Sequence, residues 1–231
     1  MLSDTRTNAG IDNIGRFRKT FTYEKPGDRA IALLCSGNLS VTQEVRTTLS
    51  RAIKESENDP EMETLLNCAT MHRAAQMVGD AMTLVQERYR PNMEMSGSSA
   101  DATMLLAGQR KGGKPRLYMI YSAGNFIEAT ADNPFFQIGE HKYGKPILDR
   151  IIAPATSLED AAKAACVSMD STIRSNLSVG MPLDLTVIKR DAFDFAVRRR
   201  IEADDDEFLT ISESWSAALR RGFEDLPTIL R

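Results

Sequence analysis

The chain has 231 residues, of which 42% are hydrophobic and 26% are charged, a composition typical of one globular domain that needs no disulfide or metal for stability. Its 29 basic and 32 acidic residues are well mixed, and the net charge of −3 indicates neither nucleic acid nor an anionic membrane as a partner. No apolar run approaches the roughly 20 residues that cross a bilayer, and three widely separated cysteines favour a reducing cytoplasm.

The first half of the sequence predicts a buried strand and two helices. The run RAIALLC, from Arg29 to Cys35, lies between two turn signals and is short and apolar, as in a strand buried on both faces. The second helix is predicted to begin at Pro60, since proline is tolerated in a first helical turn, and to end near Tyr89, before Pro91. The first helix is indicated by apolar residues at every fourth position, namely Val41, Val45, Leu49 and Ile53.

The second half predicts strands, two helices, two further strands and a last helix. The segments DATMLLAGQR and PRLYMIYSAG flank a KGG turn typical of a tight hairpin, and further strands are expected at NFIEAT and PFFQIG. Helical periodicity follows in KPILDRII and again from Ser157 to Arg174, where Ser157 is the predicted N-cap. LDLTVIK and FAVRRRIEA predict two strands, and the last helix is expected from about Ser212 to Phe223.

The order of these elements predicts the fold class. Helices come in pairs and hairpins join the strands between them, whereas a doubly wound parallel sheet would alternate single strands with single helices. The order favours a layered α/β sandwich, with two sheets face to face and a helix pair on each outer side. Since no low-complexity stretch divides the sequence, residues 1–231 are predicted to form a single domain.

Several motifs that could carry chemistry are better explained as structure. RKGGKP lacks the spacing of a phosphate-binding loop and precedes a strand, so we interpret it as a turn. His72 and His141 have no G-x-S-x-G or HExxH motif beside them, which argues against a serine hydrolase or a zinc site. The acidic run from Asp204 to Glu207 is interpreted as a solvated turn. No cofactor and no metal site are predicted.

The opening segment, LSDTRTNAGIDNIGRFRK, places Asp4 and Arg6 before the basic pair Arg18-Lys19, and composition alone does not decide between surface charges and a site. The segment SDTRTNAGIDNI, the turn SGNLSVTQ and above all NPFFQIGEHKYGKPILDR resemble Anbu, the bacterial relative of proteasome β-subunits. The similarity extends over essentially the whole chain. It implies the four-layer αββα sandwich of N-terminal-nucleophile hydrolases, which agrees with the order of the elements.

The resemblance also implies a threonine-type peptidase subunit that acts on peptide or protein substrates. In such enzymes the hydroxyl of an N-terminal threonine attacks the scissile carbonyl, and the free α-amine serves as its base. By match to the family motifs, Asp4 is the orienting carboxylate and Lys19 the catalytic lysine. Gly37 matches the oxyanion-hole position, and Ser178 matches the serine beside the nucleophile. Arg6 is expected to be a structural partner near the site.

Two positions depart from the family pattern. Glu140 follows Gly139 where proteasomes carry a serine, and Ser175 stands where an aspartate usually lies three residues before the later serine. Both departures concern auxiliary parts of proton transfer. Glu140 also raises an alternative function, an N-terminal-nucleophile amidohydrolase that acts on small, amine-bearing amides.

In the family, a nucleophile-bearing strand and its return strand, roughly a dozen residues, precede the aspartate. Here only Met1, Leu2 and Ser3 precede Asp4, so the chain is expected to lack its first strand or strands and to be inactive in threonine-type proteolysis. The favoured explanation is a translation start further upstream; the alternative is a short, non-catalytic assembly subunit. The resemblance implies a homo-oligomer, either a ring or an open helical ring formed through the helix layers.

Overall fold

The computed structural model describes residues 1–8 and 14–229, and its strands form a five-stranded sheet, a three-stranded sheet and a short hairpin. The strands are β1 (Leu2–Asp4), β2 (Arg6–Asn8), β3 (Ile14–Arg16), β4 (Thr20–Lys25), β5 (Arg29–Gly37), β6 (Ala102–Arg110), β7 (Arg116–Ile120), β8 (Phe126–Glu128), β9 (Leu183–Val187) and β10 (Val197–Ile201). The helices are α1 (Leu39–Glu55), α2 (Met71–Met95), α3 (Lys145–Ile151), α4 (Leu158–Ser175) and α5 (Asp206–Glu224). Within the described ranges, none of these helices is long and apolar enough to span a membrane.

The five-stranded sheet has the order β4-β5-β6-β7-β8, and every neighbouring pair is antiparallel. Its second strand, β5, is apolar on both faces, and the four residues from Ala30 to Leu33 are fully buried. Such a strand is stable only with packing on either side. The predicted strand at RAIALLC and the hairpin around KGG are both confirmed.

Helices α1 and α2 cover the outer face of this sheet, where they form the larger of two apolar cores. Contrary to the prediction, α2 begins at Met71 rather than Pro60, because Thr70 caps it by accepting a hydrogen bond from the backbone N–H of Arg73. Pro91 does not end α2, which continues to Met95. Proline removes one backbone donor, and this loss is tolerable near an exposed helix end.

The three-stranded sheet has the order β1-β9-β10, again antiparallel, and α3, α4 and α5 form the layer on its outer side. The predicted N-cap of α4 is confirmed, since Ser157 accepts a hydrogen bond from the N–H of Asp160. The acidic run is a turn only at Asp204: Asp205 caps α5, which therefore begins at Asp206 rather than at Ser212. Carboxylates in a first helical turn favour this start because they interact with the helix dipole.

The two sheets face each other, so the molecule has the four-layer αββα arrangement of N-terminal-nucleophile hydrolases. The hydroxyls of Ser3 in β1 and Thr20 in β4 are hydrogen-bonded at 2.7 Å, and Arg198 in β10 pairs with Glu24 in β4. One outer layer holds the expected helix pair, while the other holds three helices. Two strand predictions need correction: residues 134–139 (PFFQIG) form no strand, and β1 to β4 precede the first strand that was expected.

Candidate active site

Asp4 and Lys19 form an ion pair where the two sheets meet. Asp4 ends β1 and Lys19 directly precedes β4, so the packing of one sheet on the other brings them together. Lys19 Nζ donates to Asp4 Oδ1 at 2.7 Å, and their side chains are 22% and 10% exposed. Asp4 Oδ2 accepts from the backbone N–H groups of Arg6, at 3.1 Å, and Gly180, at 3.3 Å. The carboxylate therefore holds the lysine cation in one place.

A cavity of about 460 Å³ lies beside this ion pair. Asp4, Lys19 and Ser178 all line it, so three of the four site residues expected from the sequence share one space. The segment at 134–139 forms much of the apolar wall, instead of the strand that was expected, and it includes Phe135 and Phe136.

Gly37, the fourth expected site residue, does not line the cavity, although its neighbour Ser36 does. Gly37 ends β5 with φ +99°, and a Cβ there would lie 2.4 Å from the carbonyl oxygen of Asp101. Gly139, with φ +76°, faces the same turn, since a Cβ at this position would lie 2.7 Å from Ser36 Oγ. Glycine at position 37 thus allows the end of β5 to approach the start of β6, and glycine at position 139 allows its turn to lie against Ser36 at the cavity edge.

Ser178 lies in the loop between α4 and β9, and its own loop orients it. Its backbone N–H and its hydroxyl both lie within hydrogen-bond distance of Asn176 Oδ1, at 2.8 and 2.7 Å. The amide nitrogen of Asn176 donates in turn to Glu140 Oε2 at 2.7 Å. The glutamate that departs from the family pattern is therefore joined to the expected site serine through one asparagine.

Arg6 holds the same loop from the opposite side. Its guanidinium donates to the carbonyl of Leu177 at 2.9 Å, and a Cβ on Gly180 would lie 2.4 Å from Arg6 Cζ. A side chain at position 180 would therefore displace the Arg6 guanidinium, while Gly180 itself donates to Asp4 through its backbone N–H. Arg6 supports the site rather than facing the cavity, since it is not among the residues that line it.

Two titratable groups in the cavity wall have shifted pKa values. Burial raises the pKa of the Cys35 thiol to about 11, so this residue stays protonated near neutral pH and is a poor nucleophile. Burial also lowers the pKa of the Met1 α-amine, which donates to the carbonyl of Thr186 at 2.8 Å, to about 6. In the parts of the chain that the structure describes, no cluster of three or more His, Cys, Asp or Glu is placed to hold a metal ion.

The sequence analysis missed Asn176 and Gly180 as site residues. Neither carries a local signal, because a polar residue and a glycine are ordinary in a loop that follows a helix. Their contacts with Glu140 and Asp4 join positions 36 and 176 residues apart, and only the folded structure brings these together.

Comparisons with known proteins agree with the overall fold. Residues 28–188 match the family model described as proteasome subunit. The structure of Anbu from Hyphomicrobium is 46% identical, with a TM-score of 0.88 over 99% of this chain and 93% of that one. Anbu from Yersinia bercovieri, described as an ancestral β-subunit, is 43% identical, with a TM-score of 0.90 over 100% and 94% of the two chains. The helical assembly of the Anbu complex from Pseudomonas aeruginosa is 44% identical, with a TM-score of 0.91 over 98% and 92%. No curated protein matches the chain.

Proposed function

The chain belongs to the Anbu family of proteasome-type subunits, and on this premise we propose that it is a subunit of a threonine-type peptidase that hydrolyses peptide bonds. The observation that carries the proposal is the ion pair between Lys19 Nζ and Asp4 Oδ1, 2.7 Å long, in the wall of the 460 Å³ cavity. A lysine is costly to hold in such a place without a carboxylate beside it, and a cation there can stabilise charge that develops during a reaction.

In the proposed mechanism, an N-terminal threonine is the nucleophile and its α-amine is the general base. Lys19 supplies a fixed positive charge that favours the deprotonated hydroxyl, and Asp4 keeps this charge oriented. Backbone N–H groups at the turn around Gly37 stabilise the tetrahedral oxyanion. Ser178 accepts a hydrogen bond from the amine. These roles follow the family motifs, and the shared cavity supports them for Asp4, Lys19 and Ser178.

The nucleophile is the part of this mechanism that the resemblance alone supplies. Residue 1 is methionine, and Thr5, the threonine nearest to Asp4 in sequence, uses its hydroxyl to donate to the carbonyl of Pro182 at 2.8 Å. β1 is hydrogen-bonded to β9 along one edge, and its residues line the cavity. A threonine-first strand lying along β1 in this cavity would bring its amine and hydroxyl close to Lys19.

The structure offers no support for small amides as substrates. That alternative depends on a free carboxylate at Glu140, but Oε1 accepts from the N–H of Lys142 at 2.9 Å and Oε2 accepts from Asn176 at 2.7 Å. With both oxygens engaged within the protein, Glu140 is better explained as part of the site's framework.

The chain is also proposed to assemble with copies of itself into a ring or an open helical ring. The Pseudomonas aeruginosa relative is described as a helical assembly. The end of α5 and the residues after it expose large apolar side chains, namely Leu219, Phe223 and Leu226. Apolar surface of this kind is usually covered by a partner.

The peptidase proposal is tested with two proteins in which a segment precedes Met1, one segment beginning with threonine and the other, as the control, with alanine. Both are assayed on one panel of fluorogenic peptides and on γ-glutamyl and acyl amides. We expect turnover of peptides by the threonine-first protein alone. Equal activity of the alanine-first protein would contradict the proposed nucleophile, and a preference for the small amides would replace the proposed substrate class.

A further inference from the structure

Glu140 is held in one position by its own segment. The N–H of Lys142 donates to Oε1 at 2.9 Å, and Gln137 Nε2 donates to the backbone carbonyl of Glu140 at 3.1 Å. The close packing of Gly139 against Ser36 fixes the backbone just before it. Glu140 Oε2 is therefore held as a hydrogen-bond acceptor facing Asn176, in the loop between α4 and β9.

This acceptor determines which way the amide of Asn176 faces. A carboxylate can only accept, so Asn176 must present its NH₂ group to Glu140. At the other end, the backbone N–H of Ser178 can only donate, so Asn176 must present Oδ1 there. The two neighbours impose the same orientation, and the distances of 2.7 and 2.8 Å agree with it.

The orientation of Asn176 then determines where the Ser178 hydroxyl donates its proton in a hydrogen bond. Asn176 Oδ1 has no proton, so the hydroxyl 2.7 Å away must donate to it. A serine hydroxyl has one proton and two lone pairs. With the proton used on Asn176, Ser178 offers only lone pairs to the cavity, where Lys19 also lies.

We propose that Glu140 is a positioning residue: through Asn176 it keeps Ser178 a hydrogen-bond acceptor toward the cavity, where the matching ligand is an amine or ammonium group. We call the chain of hydrogen bonds from Glu140 through Asn176 to Ser178 the relay. The relay itself rests on the observed contacts, and its effect on catalysis rests on the proposed function. In that function, the amine is the α-amine of the nucleophile, which Ser178 holds in the direction needed for proton transfer.

The charged surroundings of Glu140 favour its ionised form. Lys142 is the charged neighbour on its own segment, and the opposing loop presents the neutral amide of Asn176. The N–H of Lys142, followed by the amide of Asn176, lowers the pKa of Glu140. Glutamine at position 140 has a similar shape but only one acceptor oxygen, so it cannot accept from both the N–H of Lys142 and the amide of Asn176 as Glu140 does.

The first test observes the relay without any substrate. Protein labelled with ¹⁵N-asparagine is examined by NMR near pH 7, and the Asn176 side-chain signal is assigned from its loss in Asn176→Asp. We expect a shifted amide proton with slowed exchange, and loss of both features in Glu140→Gln. Glu87→Gln, a matched change at an exposed position on α2, should alter neither. An Asn176 signal that is the same in Glu140→Gln as in the parent would overturn the relay.

The second test measures its effect on catalysis in the threonine-first protein. Glu140→Gln should lower kcat by about tenfold while KM stays within about twofold. The expected fall in kcat is smaller than the roughly hundredfold cost of a 1 Å misplacement, because the amine is only less firmly held. In a Ser178→Ala background the same change should have no further effect, because Glu140 acts through Ser178. If the losses of kcat from Glu140→Gln and Ser178→Ala instead add, the inference that Glu140 acts through Ser178 is refuted. If the threonine-first parent itself is inactive, the proposed function and the catalytic role of Glu140 both fail, while the NMR result still decides the relay.

Discussion

The ion pair between Asp4 and Lys19 should be energetically coupled, whereas a similar pair at the surface should not. The test is a double-mutant cycle with Asp4→Asn and Lys19→Met. The matched control is the pair Asp160–Lys163 on α4, changed in the same way. The two pairs have the same residue types and similar lengths, 2.7 and 2.9 Å, but their side chains are 10% and 22% exposed in the first pair and 58% and 64% in the second.

The expected coupling follows from distance and burial. At an effective dielectric of about 20, two unit charges about 3 Å apart attract by about 6 kcal/mol. Partial desolvation of Asp4 and Lys19 offsets much of this gain, and a net coupling of about 1–3 kcal/mol remains. The exposed control pair is screened by water and should show no measurable coupling.

The free energies of unfolding are measured by urea titration of the single and double variants at one protein concentration, since self-association would make stability concentration-dependent. The cycle is repeated at high salt, where the Asp4–Lys19 coupling should largely persist. A coupling as small as that of the control pair, or one that salt abolishes, would refute the inference that this pair is held in a partly buried site.

Three further predictions concern packing, thiol chemistry and assembly. Gly79→Ala should destabilise the protein despite the gain in helix propensity, because its Cβ would lie 2.2 Å from the carbonyl oxygen of Gly124. Gly222→Ala, whose Cβ would have nothing within 4 Å, should stabilise the protein by up to about 1 kcal/mol. Thermal denaturation compares the two variants. Alkylation of native Cys35, followed by mass spectrometry, should be slow at pH 8 and still accelerate at pH 10, because its pKa is about 11; a rate that levels off below pH 9 would contradict this value. Light scattering at micromolar concentration should give a mass well above the 25.6 kDa of one chain, and a monodisperse monomer would argue against assembly.

The central elements of the fold were predictable because their signals are local. β5 is a continuous apolar run and α1 repeats apolar residues every fourth position, so each pattern indicates one structure. The start of α2 was misplaced because Leu65 is buried in a turn before the helix, which extends the apolar pattern beyond the helix. β1, β2 and β3 were missed because they have only three residues each and are largely polar.

The candidate site was predictable only in part. Asp4, Lys19 and Ser178 were expected from the resemblance, since charged and hydroxyl side chains give no local signal of a site. The contact between Asp4 and Gly180 joins positions 176 residues apart and depends on how β1 packs beside the loop before β9. The hydrogen bond from Asn176 to Glu140 depends in the same way on the close approach of two loops.

The most direct test of the proposed function is the effect of Lys19→Ala on peptide turnover by the threonine-first protein. Lys163→Ala, an exposed lysine that also pairs with an aspartate, is the control. We predict that Lys19→Ala lowers kcat by at least about a hundredfold, the usual cost of removing a preorganised charge-stabilising group. Circular dichroism should show the fold of this variant unchanged, and Lys163→Ala should retain full activity. Turnover of a well-folded Lys19→Ala protein at the parent rate would contradict the assignment of this ion pair to the active site.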